Sequence, residues 1–248
     1  MTGAGSGIGA ALARRLAAEG ARVVVNDIDA GSAAAVAESC GAIAVAGDAA
    51  AEEGVARLIA AANDALGAID LYCANAGVAR GGGPDAPEPD WEASWQLNVM
   101  AQVRAARLLT GPWLARGSGH LICTVSAAGL LTMLGSAPYS VTKHAALAFA
   151  EWMAATYAHR GIVVQAVCPL GVRTPMLEAA GEAGRLILAE SAIPPEAVAD
   201  AVIEGIADGR FLILPHPEVA GMYAGRAADT GRWLRGMNKL QRRLEDLP

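Results

Sequence analysis

Basic residues are the minority charge in this chain. Nineteen Lys and Arg stand against 25 Asp and Glu, giving a net charge of −6 and a pI of about 5.2. That balance excludes the broad basic surface that nucleic-acid binding needs. Cysteine is sparse, and Cys40, Cys73, Cys123 and Cys168 form no C-x-x-C pair. A disulfide framework and a metal site are set aside in favour of buried, reduced thiols in a cytoplasmic protein. His120, His144, His159 and His216 lack the H-E-x-x-H spacing of a metal site. No basic segment leads into an apolar block at the N-terminus, so no signal peptide is read there. Residues 120–141 carry no Asp, Glu, Lys or Arg over a length that would span a bilayer. Gly129, Gly135, Pro138 and several hydroxyl residues interrupt them. A buried strand followed by a site loop fits this stretch better than a membrane helix.

What is present is alanine. Apolar residues make up 54 % of the chain while aromatics supply only 4 %. Alanine favours helices that pack closely on a sheet. The 248 residues suffice for one large domain. Short β-branched runs over 21–25, 42–46, 69–73, 120–126, 162–168 and 211–214 read as strands, apolar on both faces. Helical stretches over 7–19, 30–39, 51–66, 91–116, 138–159 and 195–208 alternate with them. This predicts an α/β fold, a single domain built on a doubly wound, Rossmann-like parallel sheet. Ligands bind beyond the carboxyl ends of such strands. Residues 78–90 and 174–195 read as loops, the second as a mobile flap between a strand and a helix. A dinucleotide-binding catalytic unit over 1–214 is expected. Residues 215–248 then form an amphipathic helical extension, with Trp233, Met237, Leu240 and Leu244 at helical spacing among basic residues. Asp229, Glu245 and Asp246 temper that charge, so packing on the same domain or a partner subunit is expected rather than a membrane.

The first motif is T-G-A-G-S-G-I-G over residues 2–9. Gly3, Gly7 and Gly9 allow a tight turn whose N–H groups approach a pyrophosphate at a helix N-terminus. A plain turn before an Ala-rich helix fits the same residues. About 20 residues on, the strand over 21–25 runs into Asn26-Asp27. A carboxylate there accepts from both hydroxyls of an adenosine ribose and repels a 2′-phosphate, which favours NAD over NADP. Asp27 also fits as a helix cap. Asp48, after the third run, is placed to accept from an adenine amino group.

The second motif is Y-S-V-T-K. Tyr139 and Lys143 are four apart on one helix face. A nearby ammonium lowers a phenol's pKa toward the range useful for proton transfer. Ser126 closes a strand thirteen residues earlier, and Asn98 lies mid-helix, where its propensity is poor.

Together these residues resemble the short-chain dehydrogenase/reductase family in its standard 250-residue form, from Thr2 to about Leu214. C-A-N-A-G matches the family's N-N-A-G with Ala74 in place of the first Asn, and C-P-L-G-V-R-T-P-M over 168–176 matches P-G-x-x-x-T with Leu170 in place of Gly. The resemblance implies an NAD-dependent enzyme acting on an alcohol or ketone. Tyr139 would be the acid/base and Lys143 would hold the nicotinamide ribose. Ser126 would position the substrate oxygen, and Asn98 would support a water. It implies cofactor contacts from Gly3, Ser6, Gly7, Ile8, Gly9, Asp27, Asp48, Ala49, Asn75, Ala76, Gly77, Tyr139, Lys143, Pro169, Val172 and Thr174. It also implies a homodimer or homotetramer assembled through the helices over 91–116 and 138–159. Leu130, Leu131, Met133, Leu134, Met176 and Leu177 suggest an apolar substrate wall. A catalytically silent nucleotide-binding protein of the same fold is the alternative. Only Met1 precedes the glycine loop. The first, central strand of such a sheet is missing from the N-terminus here. A gap between its neighbours is therefore expected, together with an apolar strand upstream in the natural chain.

Overall fold

The computed structural model describes residues 1–180, 184 and 187–246. The alternation of short β-branched runs with Ala-rich stretches resolves into six parallel strands joined through helices. In order these are α1 (Gly7–Ala18), β1 (Val24–Asp27), α2 (Ala30–Cys40), β2 (Ile43–Ala46), α3 (Glu52–Leu66) and β3 (Leu71–Ala74). After them come α4 (Glu88–Trp95), α5 (Ala101–Arg116), β4 (Gly119–Thr124), α6 (Ala137–Tyr157) and β5 (Ile162–Val167). The chain ends with α7 (Pro195–Asp208), β6 (Leu212–Ile213), α8 (Glu218–Ala228) and α9 (Thr230–Glu245). The expected helix over 91–116 is two helices joined by a π-helical segment, Gln96–Met100.

Strand periodicity distributes the core over two faces. Tyr72, Leu121, Cys123 and Val164 point to one side, where α3, α5 and α6 supply Leu58, Leu109 and Leu147. Cys73, Ile122 and Val167 point to the other, against Leu12 of α1 and Val198 and Val202 of α7. Each fully buried aliphatic side chain of this kind stabilises the fold by roughly 1.5–3 kcal/mol. Around β1 the packing is finer. Ala10, Ala13, Ala33 and Ala37 bring α1 and α2 close to Val23 and Val25. This is where the alanine excess is used.

The strands form two sheets, β1-β2 and β3-β4-β5-β6. The expected gap lies between them. Residues Met1–Ala4 run through one end of it and bond to both sides. Met1 O accepts from Asn26 N at 2.9 Å, Ala4 N donates to Asn26 O at 2.9 Å, and Thr2 N donates to Cys73 O at 3.1 Å. Beyond Met1 a slot of about 220 Å³ separates Val23 and Val24 from Leu71 and Tyr72.

Three expectations are corrected. The run over 42–46 is not buried on both faces: β2 is an edge strand, with Ile43 41 % exposed. Cys40 is only half-buried, although Cys73, Cys123 and Cys168 are buried. The loop over 174–195 is not a free flap in its described parts. Arg173 N donates to Ile193 O at 2.9 Å and Ile193 N to Gly171 O at 3.1 Å, which ties its far end to its beginning. Residues 181–183, 185 and 186 of that loop lie outside the described residues. Among the described residues no helix is long and apolar enough to cross a membrane.

Candidate active site

Parallel strands place their carboxyl ends along one edge, and the expected site residues gather there. Asp27 ends β1, Asn75 follows β3, Ser126 follows β4 and Pro169 follows β5. One cavity of about 1440 Å³ is lined by all of the expected site residues except Gly9 and Asn98. Thus Gly3, Ser6, Gly7, Ile8, Asp27, Asp48 and Ala49 share it with Asn75, Ala76, Gly77, Ser126, Tyr139, Lys143, Pro169, Val172 and Thr174. Gly9 packs instead: a Cβ there would lie 2.3 Å from Gly3 O.

The glycine loop has the shape of an anion cradle. Gly7 opens α1 at φ +52°, a conformation that disfavours any side chain. Ser6 makes no side-chain cap to the first turn, which leaves N–H donors of α1 at the cavity for an anion. Asp27 is not the cap of α2. Asp29 fills that role, accepting from Ser32 N at 2.6 Å. Asp27 Oδ2 accepts from Gly5 N at 2.9 Å and Oδ1 from Asp29 N at 3.1 Å. Each oxygen keeps a lone pair for a ribose hydroxyl. Asp48 is exposed and turns onto Ala50 N at 2.8 Å. A cradle of N–H groups followed by a ribose-height carboxylate fits a dinucleotide.

Asn75 links the cradle to the Tyr139–Lys143 end of the cavity. Its Nδ2 donates to Thr2 O at 3.1 Å and Gly3 O at 3.0 Å, and its Oδ1 accepts from Thr124 Oγ1 at 3.0 Å. Thr124 O in turn accepts from Lys143 Nζ at 2.9 Å. Lys143 is 4 % exposed, and its Nζ lies 5.6 Å from the Tyr139 ring centre. Asn98 is buried in the π-helical segment. It is gripped by Val78, accepting from Val78 N and donating to Val78 O, each at 2.9 Å, and it donates to Thr142 Oγ1 at 3.0 Å. A Cβ on Gly77 would meet Asn98 Oδ1 at 3.1 Å and Lys143 Nζ at 3.4 Å, so the two side chains flank that glycine. These bonds are the reason for an Asn at a mid-helix position where its propensity is poor.

The electrostatics differ from the sequence expectation. The Tyr139 phenol sits above its ordinary pKa, because burial outweighs the lowering hydrogen bond with Ser126. Burial also pushes the Lys143 ammonium down to about 8, against the pull of Cys168 and Cys123. Desolvation acts on both groups and favours the neutral form of each. The lysine has a measurable consequence. An unfolded lysine keeps its proton up to 10.5, and the native one sheds it near 8. Between those values the unfolded chain binds more protons, so this side chain's contribution to stability rises with pH from 8 to 10.5 and is least below 8. The difference corresponds to about 3 kcal/mol. Urea unfolding of wild type and Lys143→Met checks this: wild type gains about 3 kcal/mol on the variant across that interval. A constant difference would refute it.

Of the expected apolar wall, Leu131, Met133, Leu134, Met176 and Leu177 line the cavity, whereas Leu130 is 1 % exposed in the core. No motif in the sequence marks His216. It is 2 % exposed, its Nδ1 accepts from Leu170 N at 3.1 Å, and its Nε2 faces Ser191 O at 3.1 Å. Nor does one single out Arg226, whose guanidinium reaches the turn after Ser126. Both act across long sequence separations, and no local pattern marks them.

Residues 1–184 match the family model described as short chain dehydrogenase. The chain is 36 % identical over 231 residues to 1-deoxy-11-beta-hydroxypentalenate dehydrogenase of Streptomyces exfoliatus, covering 88 % of this chain and 82 % of that one. It is 34 % identical to 3-oxoacyl-[acyl-carrier-protein] reductase of a Synechocystis strain, covering 72 % and 75 %. A short chain dehydrogenase/reductase from Burkholderia phymatum, solved in complex with NAD, superposes with a TM-score of 0.86 at 29 % identity, covering 93 % and 92 %. A 3-ketoacyl-(acyl-carrier-protein) reductase from Brucella melitensis, complexed with NADH, gives 0.77 at 27 %, covering 86 % and 92 %. The chain is a Rossmann-like α/β protein that belongs to the short-chain dehydrogenase/reductase family of oxidoreductases.

Proposed function

We propose that the protein is an NAD(H)-dependent oxidoreductase that interconverts a secondary alcohol and a ketone, with Tyr139 as the acid/base. One observation carries this reading: Ser126, Tyr139 and Lys143 line the same cavity as the glycine loop and Asp27. The relatives named as dehydrogenase and reductase support the reaction class. The neighbours that hold NAD and NADH support the cofactor.

When bound, the nicotinamide supplies the hydride acceptor or donor. The protein supplies everything else. Gly3, Gly7 and the start of α1 hold the diphosphate, and Asp27 holds the adenosine ribose. Asn75, Pro169, Val172 and Thr174 form the nicotinamide end, with Lys143 on its ribose. Ser126 donates to the substrate oxygen. Tyr139 gives a proton to a carbonyl oxygen or takes one from a carbinol. A phenol held above its ordinary pKa is protonated at neutral pH, which suits the donating direction. Asn98 holds a water that passes protons between Lys143 and solvent. Trp95, Leu108, Val141 and Trp152 are exposed along α4, α5 and α6 and form the surface for a homodimer or homotetramer. The chain works in the cytoplasm, which its free thiols support.

Steady-state rates with NAD⁺ and NADP⁺ over a panel of secondary alcohols test this reading. Turnover with NAD⁺ preferred is the expected result, and no turnover across the panel overturns the oxidoreductase assignment. Asp27→Ala isolates the cofactor preference. Losing a charged acceptor and its repulsion of a 2′-phosphate shifts the ratio of kcat/KM values toward NADP by roughly 10–100-fold. An unchanged ratio removes Asp27 from that role.

A further inference from the structure

The C-terminal helices roof the cavity. Met222 of α8 and Trp233, Met237 and Leu240 of α9 contribute apolar lining. Yet α9 buries no side chain fully, and α8 is rooted in the core through Val219 alone. Packing is therefore a weak reason for the roof to sit where it does.

Arg226 supplies a stronger one. Its Nη1 donates to Leu130 O and lies 3.1 Å from His144 Nε2. Its guanidinium stacks on Trp233, 5.0 Å from the ring centre. His144 Nδ1 faces Ser140 O at 2.8 Å and so carries the ring proton, which leaves Nε2 free to accept. Both partners of Arg226 belong to segments that carry catalytic side chains. Leu130 follows the turn that begins at Ser126, and Thr132 in that stretch holds φ +93°, a costly conformation for a β-branched residue. His144 follows Lys143 on α6. Arg226 itself does not line the cavity, and among the described residues it pairs with no carboxylate. It joins three things: the segment that follows Ser126, helix α6 and the roof.

The size of the cavity says what such a joint is for. About 1440 Å³ exceeds the 300–1,000 Å³ of ordinary ligand pockets, and its lining extends into space beyond the residues expected to hold a dinucleotide. That space is walled by Leu131, Met133, Leu134 and the roof. We propose that Arg226 is a specificity-determining positioning residue: it latches the roof so that the cavity closes an apolar wall around a bulky, apolar secondary alcohol or ketone. The proposal rests on the alcohol–ketone reading of the same cavity.

Two readouts test it on the full chain. Hydrogen exchange of residues 218–240 needs no substrate, and Arg226→Ala should speed it about tenfold, the loss of one charged hydrogen-bond pair. Kinetics then compare a bulky alcohol, 2-decanol, with a small one, 2-propanol. Arg226→Ala raises KM for 2-decanol about tenfold, leaving kcat, KM for 2-propanol and the Kd for NAD within about twofold. Arg226→Lys keeps the stem and the charge but not the two directed bonds. It gives the same pattern with a smaller rise, and it stands in if the alanine variant does not fold. Unchanged exchange in the variants overturns the latch, and so does an equal rise in KM for both alcohols. Wild-type protein that turns over neither alcohol fails the oxidoreductase reading and with it the substrate class, while the exchange result still decides whether Arg226 holds the roof.

Discussion

Tyr139→Phe lowers kcat by about 10²–10⁴-fold, the usual contribution of a positioned general acid or base. The ring stays, so its place on α6 and the Lys143 ammonium 5.6 Å from its centre are kept. Only the transferable proton is lost. NAD affinity, read by calorimetry, should move within about twofold, because no cradle residue changes. Ser126→Ala is the useful partner. It removes the hydrogen bond that lowers the phenol's pKa and leaves burial unopposed. Its pH–rate profile for alcohol oxidation therefore shifts to higher pH. If Tyr139→Phe kept full turnover, proton transfer would have to be assigned elsewhere in the cavity.

Gly9→Ala carries a large structural cost. The added Cβ would sit 2.3 Å from Gly3 O, 2.6 Å from Asn75 Nδ2 and 2.8 Å from Ala4 Cα. Two of those atoms are backbone, and the third is tied down. Asn75 holds Thr2 O and Gly3 O on one side and Thr124 on the other, and Thr124 O holds Lys143 Nζ. A methyl group at Gly9 therefore moves the glycine loop and, through Asn75 and Thr124, the Lys143 ammonium. Overpacking of this kind destabilises by about 1–3 kcal/mol or more, which lowers Tm by roughly 3–10 °C for a chain of this size. NAD binding by calorimetry falls with it. Gly111→Ala is the control. Beyond its chain neighbours and its own helix's backbone nothing lies within 4 Å of a Cβ there, and the site is in α5, so the change is neutral or stabilising by up to about 1 kcal/mol. Equal effects of the two substitutions would show that the clash at Gly9 relaxes away.

The parts of this molecule that could be read from sequence are those whose physics is local. Gly3 and Gly7 announce a turn because only that backbone needs them. Tyr139 and Lys143 announce a shared face because four residues make a helical turn. Strand positions followed from β-branched runs to within about three residues, β1 ending at Asp27 rather than at residue 25. What escaped depends on distant neighbours. Nothing in I-A-V-A says that β2 lies at an edge, since that is decided by which strand comes next in space. The phenol's pKa was expected to fall because a lysine stood four residues away. It rises because burial, a property of the whole fold, is the larger effect. His216 bonds Leu170, 46 residues distant in sequence, and Arg226 bonds Leu130, 96 residues distant. Neither sits in a pattern.

The split sheet bears on how a dinucleotide would bind. Among the described residues, the backbone hydrogen bonds that tie β1 and β2 to the other strands all run through Met1–Ala4. The unit of β1, α2 and β2 is one piece on the near side of that divide. Asp27 and Asp48 belong to that piece, while Ser126, Tyr139 and Lys143 belong to the other. A dinucleotide lying along the cavity would touch both and cross the divide. Its binding free energy then counts toward the cohesion of the sheet as well as toward occupancy. Held so, a dinucleotide would act as a staple between the two halves.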